Sequence, residues 1–113
     1  MDLVSLTYAY VSSFDKKDID GLSNLMSDEF VLSDGVVNGL APKKEVLLYI
    51  SQMMEANVKR FGFEVVDILR GSGFTILEFK LYLDNTIFHG VDLIQWDNGL
   101  MTSMKAFLND VEV

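Results

Sequence analysis

The spacing of apolar residues changes near the middle of the chain, and this change restricts the fold to helices followed by strands. Before residue 57, apolar side chains recur at every third or fourth position, as they do in amphipathic helices. From Val58 onward they fall in four strand-like segments that turn-forming residues separate. No internal repeat or linker interrupts this order, so the sequence predicts an α+β fold with the helices packed against one sheet.

Three helices are predicted in the first half of the chain. The first carries Leu3, Leu6, Tyr10 and Phe14 on one face and ends near Lys16. The second begins after Asp18, a typical N-cap residue, and the third opens at Pro42, where the missing N–H group of proline costs nothing. The apolar positions of the second helix are Ile19, Leu22, Leu25 and Met26, and those of the third are Val46, Tyr49, Ile50, Met53 and Met54. A brief strand over residues 30–34 and a turn over 35–39 lie between these two helices.

Four strands are predicted in the second half, and they form an antiparallel meander. The predicted strands are Val58–Arg70, Phe74–Leu83, Ile87–Trp96 and Leu100–Leu108. The hairpin signals between them are Gly71-Ser72-Gly73, Asp84-Asn85 and Asn98-Gly99. The last is the strongest of the three, because both of its residues accept positive φ.

Asp92 is the most unusual residue of the predicted strands. Alternation along the third strand places its carboxyl group on one face with Phe88, Ile94 and Trp96. Burial disfavours the charged form of a carboxyl group, so an Asp at this position must find a partner or keep its proton with a raised pKa. The opposite face of the same strand is also apolar. Because the helices can cover only one face of the sheet, we expect a second copy of the chain to cover the other.

Composition excludes several classes of function. The net charge of −8 argues against nucleic acid or an anionic membrane as the main partner, and the absence of cysteine excludes disulfides and thiolate chemistry. No signal sequence or membrane-spanning run is present, which favours a soluble cytoplasmic protein. Asp15, Asp18 and Asp20 do not have the spacing of a calcium loop, so neither a metal ion nor a cofactor is predicted. The single histidine, His89, alternates away from Asp92 and favours a surface or interface role.

Several segments in combination resemble the NTF2-like superfamily and, within it, the SnoaL-like and ketosteroid-isomerase-like proteins. The resemblance covers nearly the whole chain. Its best-matching segments are Tyr10–Phe14 with Asp18–Leu22, then Asp28–Asp34, and finally Gly90–Ile94 with Asn98-Gly99.

The resemblance implies a single domain over residues 1–113, in which three N-terminal helices pack on a strongly curved, mainly antiparallel β-sheet that forms a cone. It also implies a ligand pocket in the mouth of the cone and a homodimer formed through the outer sheet face. In ketosteroid isomerases a Tyr on the first helix, an Asp after the first strand and an Asp in the penultimate strand form the catalytic site. These positions fall on Tyr10, Asp34 and Asp92.

These implied residues are the parts of an enolising site. Asp34 is the expected base, and Tyr10 and a protonated Asp92 are the expected hydrogen-bond donors to the enolate oxygen. Residues expected to line the pocket are Phe14, Phe30, Tyr49, Met53, Phe88, Trp96 and Met104. The predicted function is to bind a small hydrophobic molecule with a carbonyl group, with isomerase or cyclase chemistry as the candidate reaction.

Other interpretations of the same residues remain open from sequence alone. Taken singly, Tyr10 fits a tyrosine at the edge of the core, Asp34 fits a turn residue, and Asp92 fits a carboxylate paired with His89, Lys105 or a backbone N–H group. The alternative function is a non-catalytic module of the same fold that binds a ligand or dimerises. A pocket sealed by Trp96 and Met104 would favour this alternative. Epoxide opening ranks below enolisation, because it needs an arginine that neither Arg60 nor Arg70 clearly supplies.

Overall fold

The computed structural model describes residues 2–111, with side chains through residue 109, and it has three helices on a five-stranded mixed sheet. The elements in chain order are α1 (Leu3–Asp15), α2 (Ile19–Leu25), β1 (Met26–Ser33), α3 (Lys43–Ala56), β2 (Gly62–Arg70), β3 (Phe74–Leu83), β4 (Thr86–Asp97) and β5 (Leu100–Val111). The predicted α+β organisation is therefore confirmed.

The sheet has the strand order β1-β5-β4-β3-β2. Strands β2 to β5 form the predicted antiparallel meander. Strand β1 lies parallel to β5, with Val31 opposite Ser103 and Ser33 opposite Lys105, which the sequence analysis did not predict. This pairing brings the end of β1, and therefore Asp34, beside β5 on the same sheet as Asp92.

The two largest boundary differences from the prediction are at the starts of β1 and β2. Met26 opens β1 instead of closing α2, and β2 begins at Gly62 instead of Val58. Before β2, the backbone N–H groups of Lys59 and Arg60 donate to the Oδ1 atom of Asp84, at 2.8 and 3.0 Å. A side-chain acceptor therefore takes the place of a neighbouring strand in this segment, and Val58 remains 76% exposed.

Helix α1 is fixed on the sheet by a buried chain of hydroxyl groups. The Asp2 side chain accepts from the N–H group of Val4 and caps the helix. One turn further on, the hydroxyls of Thr7 and Thr75 share a hydrogen bond of 2.9 Å. The Nε1 atom of Trp96 donates to the same Thr75 oxygen, also at 2.9 Å. Because these polar groups are satisfied inside the core, they set the rotation of α1, and the helix packs against β2 and β3.

Strands β4 and β5, which carry Asp92 and Met104, are joined by the predicted Asn-Gly turn. Asn98 and Gly99 both have positive φ, 51° and 78°. This backbone conformation suits a tight hairpin, so β4 and β5 stay in register from Asp97 and Leu100 through Ile87 and Val111, with one bulge. Among residues 2–111, no helix has the length and apolarity needed to cross a bilayer.

Candidate functional site

The side chains of Tyr10, Asp34 and Asp92 line one cavity between α1, α3 and the inner face of the sheet. The cavity volume is about 60 Å³. The structure thus brings together three polar residues that are far apart in sequence. The other lining residues are almost all apolar: Phe14, Leu32, Tyr49, Ile50, Met53, Phe63, Phe79, Leu81, Met104, Ala106 and Leu108.

Asp92 occupies the middle of β4, where its cross-strand neighbours are Leu77 on β3 and Ala106 on β5. Only 2% of its surface is exposed. Burial raises the pKa of Asp92 well above the usual value, the negative charge of Asp34 raises it further, and the neighbouring Tyr10 hydroxyl lowers it in part. Asp92 therefore keeps its proton and can donate a hydrogen bond into the cavity.

Other partners that the sequence allowed for Asp92 lie elsewhere. The Nε2 atom of His89 is 2.6 Å from the Oε2 atom of Glu78, and this pair is on the opposite, exposed face of the sheet. Lys105 registers opposite Leu93, which also places it on that outer face. Among the described side chains, Asp34 and Tyr10 are the ones that affect the pKa of the Asp92 carboxyl group.

The Tyr10 hydroxyl completes the inner end of the cavity. Tyr10 is buried, and burial together with the nearby Asp92 raises its pKa well above the usual value, so the phenol stays neutral. Its hydroxyl donates to the Sδ atom of Met104 at 3.6 Å. A thioether is a weak acceptor, so a ligand oxygen at this position would form the better hydrogen bond.

Asp34 follows the last residue of β1 and is held at the mouth of the cavity by three hydrogen bonds. Its Oδ1 atom accepts from the backbone N–H groups of Val36 and Val37, at 2.7 and 2.8 Å. The Oδ2 atom accepts from the hydroxyl of Tyr49 at 2.9 Å. Burial, followed by the interaction with Asp34, raises the pKa of Tyr49 to about 12, so Tyr49 acts as the donor. Asp34 is thus both a turn residue and a cavity residue.

Aromatic rings form one wall of the cavity. The ring of Phe63 lies 5.7 Å from that of Tyr10, 4.7 Å from that of Phe14 and 4.8 Å from that of Phe79, measured between ring centroids. Gly90 is two residues before Asp92 on the same face, and a Cβ atom there would come within 2.7 Å of the Phe79 ring. The absence of a side chain at Gly90 therefore leaves room for this wall.

Four of the seven expected pocket residues line the cavity, namely Phe14, Tyr49, Met53 and Met104, whereas Phe30, Phe88 and Trp96 do not. Phe88 and Trp96 share a face with Asp92 but lie four positions away along β4, and Phe30 is four positions before Asp34. Because a strand advances about 3.3 Å per residue, this separation is about 13 Å, which exceeds the reach of so small a cavity. Phe30 and Trp96 belong to the core, and Phe88 is partly exposed beside it.

The sequence analysis did not identify seven of the lining residues, although some of them could have been identified from sequence patterns. Leu32 is two positions before Asp34 on β1, so alternation indicates the same face. Ala106 and Leu108 could be found only from the register of β5 against β4. The remaining missed residues, Ile50, Phe63, Phe79 and Leu81, carry no sequence signal that distinguishes a cavity wall from the core.

The acidic residues near α2 have structural partners. The Asp15 carboxylate accepts from the N–H group of Phe63 at 2.9 Å, and the Asp18 carboxylate accepts from that of Gly21 at 2.9 Å. Among the described side chains, no group of three or more potential ligands has the geometry of a metal site. Neither Arg60 nor Arg70 lines the cavity.

Comparison with solved structures shows an NTF2-like fold. An NTF2-like protein of unknown function from Cytophaga hutchinsonii superposes with a TM-score of 0.84 and 9% identity, over 96% of this chain and 91% of that chain. A candidate ketosteroid isomerase from Kribbella flavida has a TM-score of 0.82 and 12% identity, over 96% and 78%. A candidate SnoaL-like polyketide cyclase from Shewanella denitrificans has a TM-score of 0.79 and 12% identity, over 93% and 88%.

No family model matches the sequence, and no curated protein matches it either. At identities of 9 to 12%, the structural similarity establishes the fold. Because one fold hosts many unrelated activities, function has to be argued from the cavity itself.

Proposed function

We propose that the cavity binds a small hydrophobic molecule through its carbonyl oxygen and catalyses enolisation, as an isomerase or cyclase of the ketosteroid-isomerase-like type. The observation that carries this proposal is the buried Asp92 beside Tyr10, inside an otherwise apolar cavity. Two neutral O–H donors at one place form a suitable site for an oxygen that gains negative charge. The names of the candidate isomerase and cyclase structures are consistent with such chemistry on this fold.

The proposed reaction moves one proton. The Asp34 carboxylate removes a proton from the carbon next to the carbonyl group, and the electron pair of the broken C–H bond moves toward the carbonyl oxygen. Tyr10 and Asp92 donate hydrogen bonds to the resulting enolate oxygen. In the isomerase reaction, Asp34 then returns the proton to another carbon. In the cyclase reaction, the enolate carbon instead forms a bond to a second carbonyl carbon of the same molecule, and the oxygen of that carbonyl group takes the electron pair and the proton. The two acids thus have opposite protonation states, with Asp34 charged and Asp92 neutral.

The charge of Asp34 and the neutral form of Asp92 stabilise each other electrostatically. The charge on Asp34 contributes to the raised pKa of Asp92, so ionisation of the base helps to keep the donor protonated. The apolar walls exclude most water, which strengthens hydrogen bonds to the developing charge. We also propose that the sheet is strongly curved into a cone and surrounds the ligand on three sides.

Binding of a phenol, which mimics an enolate oxygen, tests the donor pair. We expect a substituted phenol to bind the wild-type protein, and its affinity to fall about tenfold or more when Tyr10→Phe is combined with Asp92→Ala, because two hydrogen bonds are lost. Tyr8→Phe is the matched control, since Tyr8 is 53% exposed and does not line the cavity. Undiminished affinity in the double variant would remove the donor pair from the proposal.

A second candidate is ligand binding without turnover. Both oxygens of Asp34 already accept hydrogen bonds, and the Tyr10 hydroxyl already has an acceptor in Met104. These contacts would suit a rigid binding site. An assay with a β,γ-unsaturated cyclohexenone separates the two candidates, because isomerisation produces a conjugated ketone with stronger ultraviolet absorbance. Binding of the phenol with no increase in absorbance would favour the non-catalytic function.

We also propose that the protein forms a homodimer through the outer sheet face. Leu69, Ile76 and Leu93 lie side by side on β2, β3 and β4. Leu69 is 60% exposed. A second copy of the same face would remove this apolar surface from water.

A further inference from the structure

The size of the cavity limits how much of a ligand it can enclose. Its volume of about 60 Å³ is less than half that of an engineered apolar cavity of about 150 Å³ that encloses benzene. The carbonyl end of a ligand therefore fits inside, next to Tyr10 and Asp92, while the rest of the molecule has to extend through the mouth. The properties of the surface outside the mouth then select the ligand.

That surface is a groove continuous with the cavity. Asp34, Ala106 and Leu108 line both, so the groove begins where the cavity opens. The groove volume is about 560 Å³, which is ample for a ligand tail. Its other lining residues are Ser33, Gly35, Asn38, Lys105, Phe107 and Asn109. Whereas the cavity is apolar, the groove is rich in polar groups.

The groove offers hydrogen-bond donors to a ligand. The Oδ1 atom of Asn38 accepts from the Ser33 hydroxyl at 3.3 Å, which leaves the amide N–H groups of Asn38 to donate. Asn109 and Lys105 add further exposed donors. Strand β1 ends at Ser33, opposite Lys105, so in the described chain β5 has no strand beside it on this side beyond that point.

Lys105 gives the groove one local positive charge. Lys105 is the only cationic residue among those that line the groove, and it forms no ion pair with another described side chain. The single acid of the lining, Asp34, already accepts three hydrogen bonds from Val36, Val37 and Tyr49. Because the whole chain carries a net charge of −8, any attraction for an anion must be local.

We propose that this groove binds the anionic tail of the ligand, a carboxylate or phosphate that lies against Lys105 while the carbonyl end occupies the cavity. The proposal rests on the function proposed above and narrows its ligand to an amphiphilic molecule with an oxygen at one end and an anion at the other. The donors of the groove supply hydrogen bonds to the tail, and Lys105 supplies the opposite charge.

Two matched probes test this proposal by calorimetric titration: para-hydroxyphenylpropionate and its primary amide. Both carry the same phenol, and only one carries an anionic tail. At low salt we expect the wild-type protein to bind the carboxylate about threefold to tenfold more tightly than the amide. We expect Lys105→Met to abolish this preference and to leave the affinity for the amide unchanged. Lys80→Met is the control, because it removes the same charge from an exposed position outside the groove.

The outcomes distinguish the groove from the cavity. If the amide binds and the carboxylate binds no more tightly, the groove proposal alone is overturned. A preference for the carboxylate that survives Lys105→Met would also overturn it. If neither probe binds, the cavity function fails and the groove proposal fails with it. A preference lost in Lys105→Met, kept in Lys80→Met and weakened by added salt is the result that supports the groove.

Discussion

The hydroxyl of Tyr49 donates to the Oδ2 atom of Asp34 at 2.9 Å, while the Oδ1 atom of the same carboxylate is held by two backbone N–H groups. A carboxylate fixed at both oxygens has one orientation relative to the cavity. Tyr49 comes from α3 and Asp34 from the end of β1, so this contact ties the mouth of the cavity to two separate elements. Tyr49 is therefore a positioning residue of the proposed site.

Replacing Tyr49 by Phe removes the donor and keeps the ring. We expect turnover of the cyclohexenone substrate to fall about tenfold, because a hydrogen bond to a charged group contributes about 1.5–3 kcal/mol and its loss frees the base to rotate. KM should change little, since the oxygen-binding pair is intact. Steady-state kinetics with Tyr8→Phe as the control test this prediction, and equal rates in both variants would contradict it.

The two acids should respond differently to substitution. Asp34→Asn removes the base, so we expect nearly all turnover to be lost. Asp92→Ala removes one of two hydrogen-bond donors, so we expect a smaller loss, of about 10- to 100-fold. Both losses are measured as the decrease in kcat/KM with the same ketone. Small and similar losses in the two variants would show that the assigned roles are wrong.

The buried acid should make stability depend on pH. The pKa of Asp92 is raised in the folded protein, so between the ordinary value near 3.8 and the folded value the native state binds more protons than the unfolded state. The contribution of Asp92 to the free energy of unfolding is then greatest below the ordinary value and falls as pH rises, by up to about 1.4 kcal/mol per pH unit.

Urea denaturation of the wild-type protein and the Asp92→Asn variant measures this effect. The difference between the two removes the contributions of the other carboxyl groups. We expect the variant to gain stability relative to the wild type as pH increases within that window. A difference that stays constant from pH 4 to 7 would mean that Asp92 is not held neutral by folding.

Lys17 should stabilise the end of α3. Its Nζ atom donates to the carbonyl oxygens of Met54 and Asn57, at 2.9 and 3.0 Å, and lies 4.8 Å from the centroid of the Phe61 ring. We expect Lys17→Met to reduce the free energy of unfolding by about 1–2 kcal/mol, because a cation at the C-terminal end of a helix is lost.

The neighbouring Lys16 is exposed, and no hydrogen bond of its side chain is seen, so Lys16→Met is the control for Lys17. Chemical denaturation of both variants at one pH gives the comparison. If the two substitutions lower the free energy of unfolding by the same amount, the contacts of Lys17 make no specific contribution to stability.

The outer sheet face should control the oligomeric state. A charge at the centre of the Leu69, Ile76 and Leu93 row cannot be buried against its own copy without a large desolvation cost. We therefore expect Ile76→Lys to convert the proposed dimer to a monomer in sedimentation velocity. Val36→Lys, at a turn position that is 82% exposed, should leave the oligomeric state unchanged. A wild-type protein that sediments as a monomer would refute the dimer.

The sequence by itself determined the local elements and the face on which Asp92 lies. Helical spacing, the Asp18 cap and the Asn98-Gly99 turn act between residues close in the chain, and alternation along β4 was enough to place Asp92 inward. Such signals are local because they arise from backbone geometry and from capping within a few residues. Convergence of Tyr10, Asp34 and Asp92 on one cavity was suggested by a family resemblance rather than by these signals.

Only the tertiary structure decided which residues meet at the site. The parallel pairing of β1 with β5, the bond from Tyr49 to Asp34 and the contact of Tyr10 with Met104 join residues 15 to 94 positions apart. No local pattern encodes these contacts, because they depend on how separate elements pack. The same holds for Phe30, Phe88 and Trp96, whose distance along the strands excludes them from the cavity, although the face of Phe88 and Trp96 was correctly predicted.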